Sequence, residues 1–279
     1  MPVIIAGVLN LTPDSFSDGG RFPSIDSAVA AALAMVEAGA RWIDVGGEST
    51  RPHALPVPEL DEIRRVVPVI ERLASELGQR ARISIDTYKA GTARAAFEAG
   101  ATVVNDVSGG TLEPAILGIA ARAGAGVVLG HLRGQPATMM AHVHFDDVVT
   151  EVMAELGERI AEARAAGCSE IWADPGIGFG KGLEHNLRLL ANLSMLCERL
   201  GVPIMVGVSR KRFIGDLTGQ PVENRIFGTA AAVAAAVLGG AAAVRVHDVK
   251  EMVDVAKVAE AIATIRLGGE KHYNGGRNG

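Results

Sequence analysis

The sequence predicts an α/β protein built as a single (β/α)8 barrel. Eight short apolar runs alternate with eight helical stretches, glycines follow the helices at 39, 78, 100, 124, 167 and 201, and the apolar runs end in polar or charged residues. Alternation of strand and helix implies parallel strands, and eight units close most simply into a barrel. The glycines mark short return connections. An open doubly wound sheet is the rival, but its Gly-x-Gly-x-x-Gly fingerprint after the first strand is missing. No linker-like composition interrupts the pattern. Residues 1–270 read as one domain and 271–279, polar and glycine-rich, as a frayed tail.

Each element has its own signal. Residues 3–9 form the first apolar run and stop at Asn10. A polar loop closed by Gly19 and Gly20 follows, and Ser24 or Asp26 caps a helix through Ala38. Residues 42–45 are the second strand, and 59–77 an amphipathic helix ended by Gly78. The third strand, 82–85, stops at Asp86; a helix over 90–99 leads to the fourth, 102–104, which ends in Asn105 and Asp106. A helix over 113–123 and a strand over 126–129 deliver His131. Residues 146–166 are a long helix, and the strand 171–173 delivers Asp174. One helix from Gly182 to about Leu200 precedes the seventh strand, 203–208, which ends in Ser209, Arg210 and Lys211. An alanine-rich helix centres on 228–238, the eighth strand is 243–246 with Arg245 and then His247 at its end, and the last helix spans 249–265.

Composition narrows the function classes. The net charge of −5 leaves no basic face for nucleic acid, though local arginines can still hold an anionic ligand. Two scattered cysteines, Cys168 and Cys197, are too few for a disulfide framework or a zinc site, which fits a reducing cytoplasm. The first residues carry no signal-peptide pattern, and the longest apolar run, 228–244, is too short to span a bilayer comfortably. A small-molecule ligand, with neither nucleic acid nor membrane as partner, is the expectation.

In barrels of this kind the site lies at the C-terminal mouth of the strands. There Asn10, the loop from Glu48 to Arg51, Asp86, Asn105, Asp106, His131, Asp174, Lys211, Arg245 and His247 converge. Singly, Asp86 or Asp106 could cap a helix, Lys211 could be a solvated loop residue and His131 a packing histidine. Eight strands all ending this way are harder to explain as eight caps. Asp86, Asn105 and Asp174 offer acceptors to a ring rich in N–H donors, and Lys211 adds a donor. Arg51, Arg245 and His247 make a cationic group suited to a pyrophosphate, and Thr50 adds a hydroxyl.

Seven motifs in order carry a resemblance that covers nearly the whole chain. They are residues 7–20, Ile43-Asp-Val-Gly-Gly-Glu-Ser-Thr-Arg-Pro52, Ser84-Ile-Asp-Thr87, Asn105-Asp106, Asp174-Pro-Gly-Ile-Gly-Phe-Gly-Lys181, Ser209-Arg-Lys211 and Arg245-Val-His-Asp248. Together they resemble the dihydropteroate synthase family, whose fold is the same barrel. The resemblance implies a transferase of folate biosynthesis that joins 6-hydroxymethyl-7,8-dihydropterin diphosphate to p-aminobenzoate by an SN1-like displacement. It implies that Asp86, Asn105, Asp174 and Lys211 bind the pterin, and that Thr50, Arg51, Arg245 and His247 hold the diphosphate. Phe16, Pro52 and Phe179 would touch substrate, and Asp18 would shield the cation in a loop that closes with help from Gly19, Gly20, Gly46 and Gly47. Asn10 would contribute to a Mg2+ site, and a homodimer through the C-terminal helices is implied as well. A non-catalytic pterin-binding paralogue and a pterin-dependent methyltransferase are the alternatives.

Three departures from the family pattern bear on the pocket. His53 follows Thr-Arg-Pro where glycine is usual, which would stiffen or reposition that loop. Gly130 precedes His131 where methionine is common, which would loosen the pterin wall. Arg212 follows Lys211 where serine is frequent, placing a cation near the p-aminobenzoate carboxylate. All three bear on affinity for sulfonamides, which mimic p-aminobenzoate.

Overall fold

The computed structural model describes residues 2–12, 24–50 and 55–266. Phe16, Asp18, Gly19, Gly20, Arg51, Pro52, His53 and the tail lie outside the described residues.

The strands are β1 (Ile4–Asn10), β2 (Trp42–Gly46), β3 (Arg82–Asp86), β4 (Val103–Asp106), β5 (Gly126–Gly130), β6 (Ile171–Asp174), β7 (Met205–Gly207) and β8 (Ala243–Val246). They pair in parallel in the order β6-β5-β4-β3-β2-β1-β8-β7. A single parallel bridge between Ala173 and Ile204 brings the two outer strands together and closes the barrel. Strands buried on both faces read as continuous apolar runs, which is why the sequence pattern marked them. All five residues of β2 are buried, including Asp44.

Helices α1 (Ile25–Glu37), α2 (Glu59–Leu77), α3 (Ala90–Glu98), α4 (Ala115–Ala123), α5 (Val148–Ala165), α6 (Leu183–Ala191), α7 (Leu193–Leu200), α8 (Arg212–Thr218), α9 (Ile226–Leu238) and α10 (Val249–Arg266) form the outer ring. Ser24, not Asp26, caps α1, its side chain accepting from the Ser27 amide at 3.1 Å. The large apolar core lies between this ring and the outward faces of the strands. A smaller one, with Trp42, Trp172, Met205, Val103 and Val128, fills the barrel at the N-terminal end of the strands. No described helix is long and apolar enough to cross a membrane.

Three boundaries differ from the sequence reading. The helix expected from 182 to 200 is two helices: Asn192 (φ −108°, ψ 19°) breaks it, with its amide donating to the Arg188 carbonyl at 2.8 Å. Helix α8, too short to show a clear period, has no counterpart in the sequence reading. Strands β1, β3, β4 and β6 run on into Asn10, Asp86, Asn105 and Asp106, and Asp174. The ladder continues past the point where the apolar run stops, so these polar side chains stand on the sheet itself.

Candidate active site

The ladder register aligns three of the polar positions with Gly46. Asn10 pairs with Gly46, Gly46 with Asp86, and Asp86 with Asn105, giving one row across β1 to β4 at the mouth. A Cβ built on Gly46 would stand 3.5 Å from Asn10 Oδ1 and 3.5 Å from Asp86 Cβ. Gly46 thus leaves a gap between the two polar side chains. On the other side, a Cβ on Gly207 would stand 3.7 Å from Lys211 Nζ and 3.8 Å from Asp174 Oδ2. Neither Gly46 nor Gly47 has a positive φ. Both leave space in the described chain: Gly47 lies against Glu62 and Val66 of α2, closer than a side chain would allow.

One layer below, Arg245 is paired with both Asp44 and Asp86, the latter at 2.5 Å. Ser84 donates to Asp44 Oδ1, and Asn105 Nδ2 donates to Asp44 Oδ2 at 3.1 Å. A carboxylate only accepts, so the Asn105 amide group must face Asp44 and its carbonyl oxygen is left to accept from a ligand. The mouth therefore offers acceptors from Asp86 and Asn105 of this row and from Asp174 on β6.

Burial governs the protonation of these groups. It pushes Asp86 up to about 7, against the pull of Arg245, and Asp44 adds like-charge repulsion. Burial raises Asp174 as well, opposed by Lys211 and by the Gly176 amide, which donates to Asp174 Oδ1 at 2.7 Å. Burial brings Lys211 down to about 8, with Asp174 working the other way. Arg245 is opposed by burial too, yet Asp44 and Asp86 hold it fully charged. The mouth is a set of partly buried charges that face one another.

The loops after β6 and β7 deliver Lys211. Arg210 has φ 58°, the one positive value among described non-glycine residues. This left-handed residue, held by Asp248 at 3.0 Å and by the Thr229 hydroxyl at 3.0 Å, turns Ser209 and Lys211 in different directions. Ser209 Oγ meets His247 Nδ1 at 3.0 Å, while Lys211 reaches the Ile177 carbonyl and lies 4.2 Å over the Phe179 ring. Thr50 is half-buried at the end of the β2 loop. That loop is anchored by Glu48, which accepts from the Tyr88 hydroxyl at 2.7 Å and the Val57 amide at 3.2 Å and pairs with Lys89. Lys89 also meets the buried Glu62 at 2.6 Å.

Asp106 stands apart from the ligand-facing set. Its carboxylate accepts from the Ser108 amide at 2.8 Å, the Ser108 hydroxyl at 2.7 Å and the Gly110 amide at 2.7 Å, closing the turn after β4. His131 is buried and bonded to Glu155 and Lys181. A Cβ on Gly130 would fall 2.7 Å from the Val107 backbone. That close approach fills the space, so the loosened wall expected from the sequence is absent. Arg212 is exposed and lies 3.6 Å from Asp216, one turn along α8. Sequence reasoning left Asp44 out of the site, although a lone acid in an apolar strand was its signal. It also missed Gly207 and Lys181, the latter visible only as the end of a glycine-rich motif.

A barrel whose mouth gathers buried and half-buried acceptors, a half-buried lysine and glycine-made space has the layout of a barrel enzyme. The family described as "Pterin binding enzyme" matches residues 6–247. Dihydropteroate synthase of Synechocystis is 46% identical over 261 residues, 92% of this chain and 89% of that protein. That of Mycobacterium leprae is 46% identical over 269 residues, 93% of each. Xanthomonas albilineans dihydropteroate synthase with 4-aminobenzoic acid superposes with a TM-score of 0.86 at 45% identity, covering 94% of this chain and 93% of that one. The same organism's enzyme in complex with 7,8-dihydropteroate gives 0.83 at 43% identity, covering 94% of each. The chain belongs to the dihydropteroate synthase family of pterin-binding enzymes.

Proposed function

We propose that the barrel mouth condenses 6-hydroxymethyl-7,8-dihydropterin diphosphate with p-aminobenzoate, releasing 7,8-dihydropteroate and pyrophosphate in folate biosynthesis. The observation that carries this reading is the row from Asn10 to Asn105 facing Asp174 and Lys211 across glycine-made space, in a chain of this family. Asp86, Asp174 and the Asn105 carbonyl accept from the pterin N–H groups, and Lys211 donates to the ring. Thr50, Arg51 and His247 hold the diphosphate. Arg245 serves both sides, because it neutralises Asp44 and Asp86 beneath the pterin.

The bond broken is that from the ring methylene to the diphosphate oxygen, whose electrons leave with pyrophosphate. The cation left behind is delocalised into the pterin and stabilised by ionised Asp86 and Asp174. The arylamine nitrogen then forms the new C–N bond and gives up one proton. Phe179 flanks the incoming arylamine, and Phe16, Asp18 and Pro52 complete the pocket from the loops. An Asp18→Ala enzyme with unchanged turnover would refute the part given to Asp18.

Among the described residues no three His, Cys, Asp or Glu side chains cluster to hold a metal. Mg2+ nonetheless fits here, because it keeps several waters and uses few protein ligands plus phosphate oxygens. The Asn10 amide oxygen beside Gly46 would be a ligand for it, and the ion would supply charge neutralisation for the departing diphosphate. A homodimer through α8 to α10 is supported by Leu217, Phe227, Val258, Ile262 and Ile265, all exposed on that side, with Phe227 86% accessible. A cytoplasmic site of action and inhibition by sulfonamides belong to the same reading.

The test is pyrophosphate release with dihydropterin diphosphate and Mg2+, with and without p-aminobenzoate, while dihydropteroate is followed by chromatography. Product that requires both substrates is expected. Pterin binding without product would replace this reading with a non-catalytic pterin-binding protein.

A further inference from the structure

We infer that Lys181 is a positioning residue: its buried amine ties the loop after β5 to the loop after β6 and so fixes Phe179 and Lys211 against the pterin. The inference rests on the reaction proposed above and adds to it a residue that touches neither substrate.

Three contacts define the tie. Lys181 Nζ donates to the His131 carbonyl at 3.3 Å, to the Phe179 carbonyl at 3.1 Å and to His131 Nδ1 at 2.9 Å. An ammonium has three protons, and all three are used. With Nδ1 accepting, His131 must carry its proton on Nε2, which faces Glu155 at 3.0 Å. Glu155 is held in turn by Arg133. His131 follows β5 directly and Glu155 stands on α5, so the tie ends in the scaffold.

The loop from Asp174 to Lys181 needs such a tie. Gly176, Gly178 and Gly180 have φ of 68°, 80° and 58°. Three left-handed glycines in alternate positions give a backbone with little stiffness of its own. At one end Asn186 accepts from the Gly178 amide at 2.7 Å and donates to the Gly182 carbonyl at 2.8 Å. At the other, Gly176 presses so closely on the His131 carbonyl that a Cβ would fall 2.0 Å from that oxygen. Between them the loop presents the Ile177 carbonyl and the Phe179 ring to Lys211. Lys181 bonds the carbonyl of Phe179 itself. Loss of its amine releases the segment that Lys211 leans on.

The experiment measures binding of 6-hydroxymethylpterin and of inorganic pyrophosphate by calorimetry to wild type, Lys181→Met, Lys211→Ala and the double variant, with steady-state kinetics alongside. Lys181→Met is expected to weaken pterin binding about tenfold and to lower kcat, with pyrophosphate affinity held within about twofold. In the Lys211→Ala background the effect of Lys181→Met should shrink below about threefold, since residues acting through one another are not additive. Wild-type pterin affinity in Lys181→Met, full additivity, or an equal loss of pyrophosphate binding would each overturn the inference. Should Lys181→Met fail to fold, His131→Asn keeps an acceptor for the amine and His131→Leu removes it. Pterin affinity should be higher in His131→Asn, and equal affinities would overturn the inference. A wild type that binds pterin without turnover would sink the proposed reaction, while the binding cycle would still decide the part of Lys181.

Discussion

At the N-terminal end of the strands Trp42 and Trp172 meet at a centroid distance of 5.3 Å and, with Met205, Val103 and Val128, fill the barrel. Toward the C-terminal end the strands carry Asp44, Asp86, Asp174 and Arg245, the loop after β7 adds Lys211, and glycines replace side chains at 46 and 207. One end is packed and the other is charged and roomy. The packed end gains from burial alone, whereas at the mouth burial works against every charge it encloses. The barrel therefore separates what holds it together from what it does, and that separation can be tested from each end.

The largest effects should be the two that set the ends apart. Lys211→Ala is expected to lower kcat/KM by about a hundred- to a thousand-fold, the scale for removing one charge-stabilising donor. Thermal stability should barely change, because burial already weighs against the Lys211 charge. Trp172→Ala should do the reverse. Losing a large buried ring costs about 3–5 kcal/mol by chemical denaturation, while kcat of the folded fraction stays near wild type. A Lys211→Ala enzyme that unfolds, or a Trp172→Ala enzyme that folds well but is inactive, would break the comparison.

Gly46→Ala sharpens it at a single methyl group. The added Cβ would meet Asn10 Oδ1 and Asp86 Cβ at 3.5 Å, an ordinary contact, and φ is not in the left-handed region. The variant should fold with little change in melting temperature. It should still bind pterin about ten- to a hundred-fold more weakly, on the scale of overpacking penalties of ~1–3 kcal/mol. Retained affinity would mean that the gap between Asn10 and Asp86 is not ligand space.

Much of this division was legible in the sequence, for reasons that differ by residue. Strand order, the barrel and the positions of Asp86, Asn105, Asp174 and Lys211 followed from apolar runs that end in polar residues. Asp44 was hidden because it interrupts a run instead of ending it, and only the side-by-side register with Ser84 and the reach of Arg245 reveal its place. Arg245 itself was grouped with the anion-binding residues; its pairing with two carboxylates depends on contacts 159 and 201 residues apart in sequence. The space left at Gly46 was not legible because composition cannot tell a glycine needed for its φ from one needed for its missing side chain. The break at Asn192 was unreadable because one side-chain bond to the Arg188 carbonyl decides it.

The pH dependence of the mouth follows from the same burial. Burial pushes Asp86, facing Arg245 and Asp44, up to about 7, and the proposed reaction requires it ionised, to accept from the pterin and to stabilise the cation. Below about pH 7 the free enzyme holds it protonated, so kcat/KM should fall about tenfold per unit. Lys211, with Asp174 beside it, comes down to about 8, so activity that needs its charge should be lost above that. The expected profile is a narrow bell between those limits. Lys211→Arg should extend its alkaline side, and an unchanged alkaline limb would assign that limb to another group.

The smallest effect is expected at the bottom, where an ion pair exists but should matter little. Arg82 and Glu170 meet at 2.6 and 3.0 Å, with side chains 41% and 39% exposed. Water screens such a pair, so even this two-point geometry should contribute under about 1 kcal/mol. Glu170 also accepts from Trp172 Nε1 at 2.9 Å, and the Arg82 guanidinium lies 5.3 Å from the Trp42 ring. Arg82→Met keeps the apolar stem over Trp42 and removes only the charge. A denaturation midpoint close to wild type, insensitive to added salt, would leave packing as the source of stability at this end. A loss above about 2 kcal/mol, absent once Glu170→Gln is also present, would show that the pair couples more strongly than exposed pairs do. Charge would then stabilise the packed end as well, and the contrast with the mouth would rest on space alone.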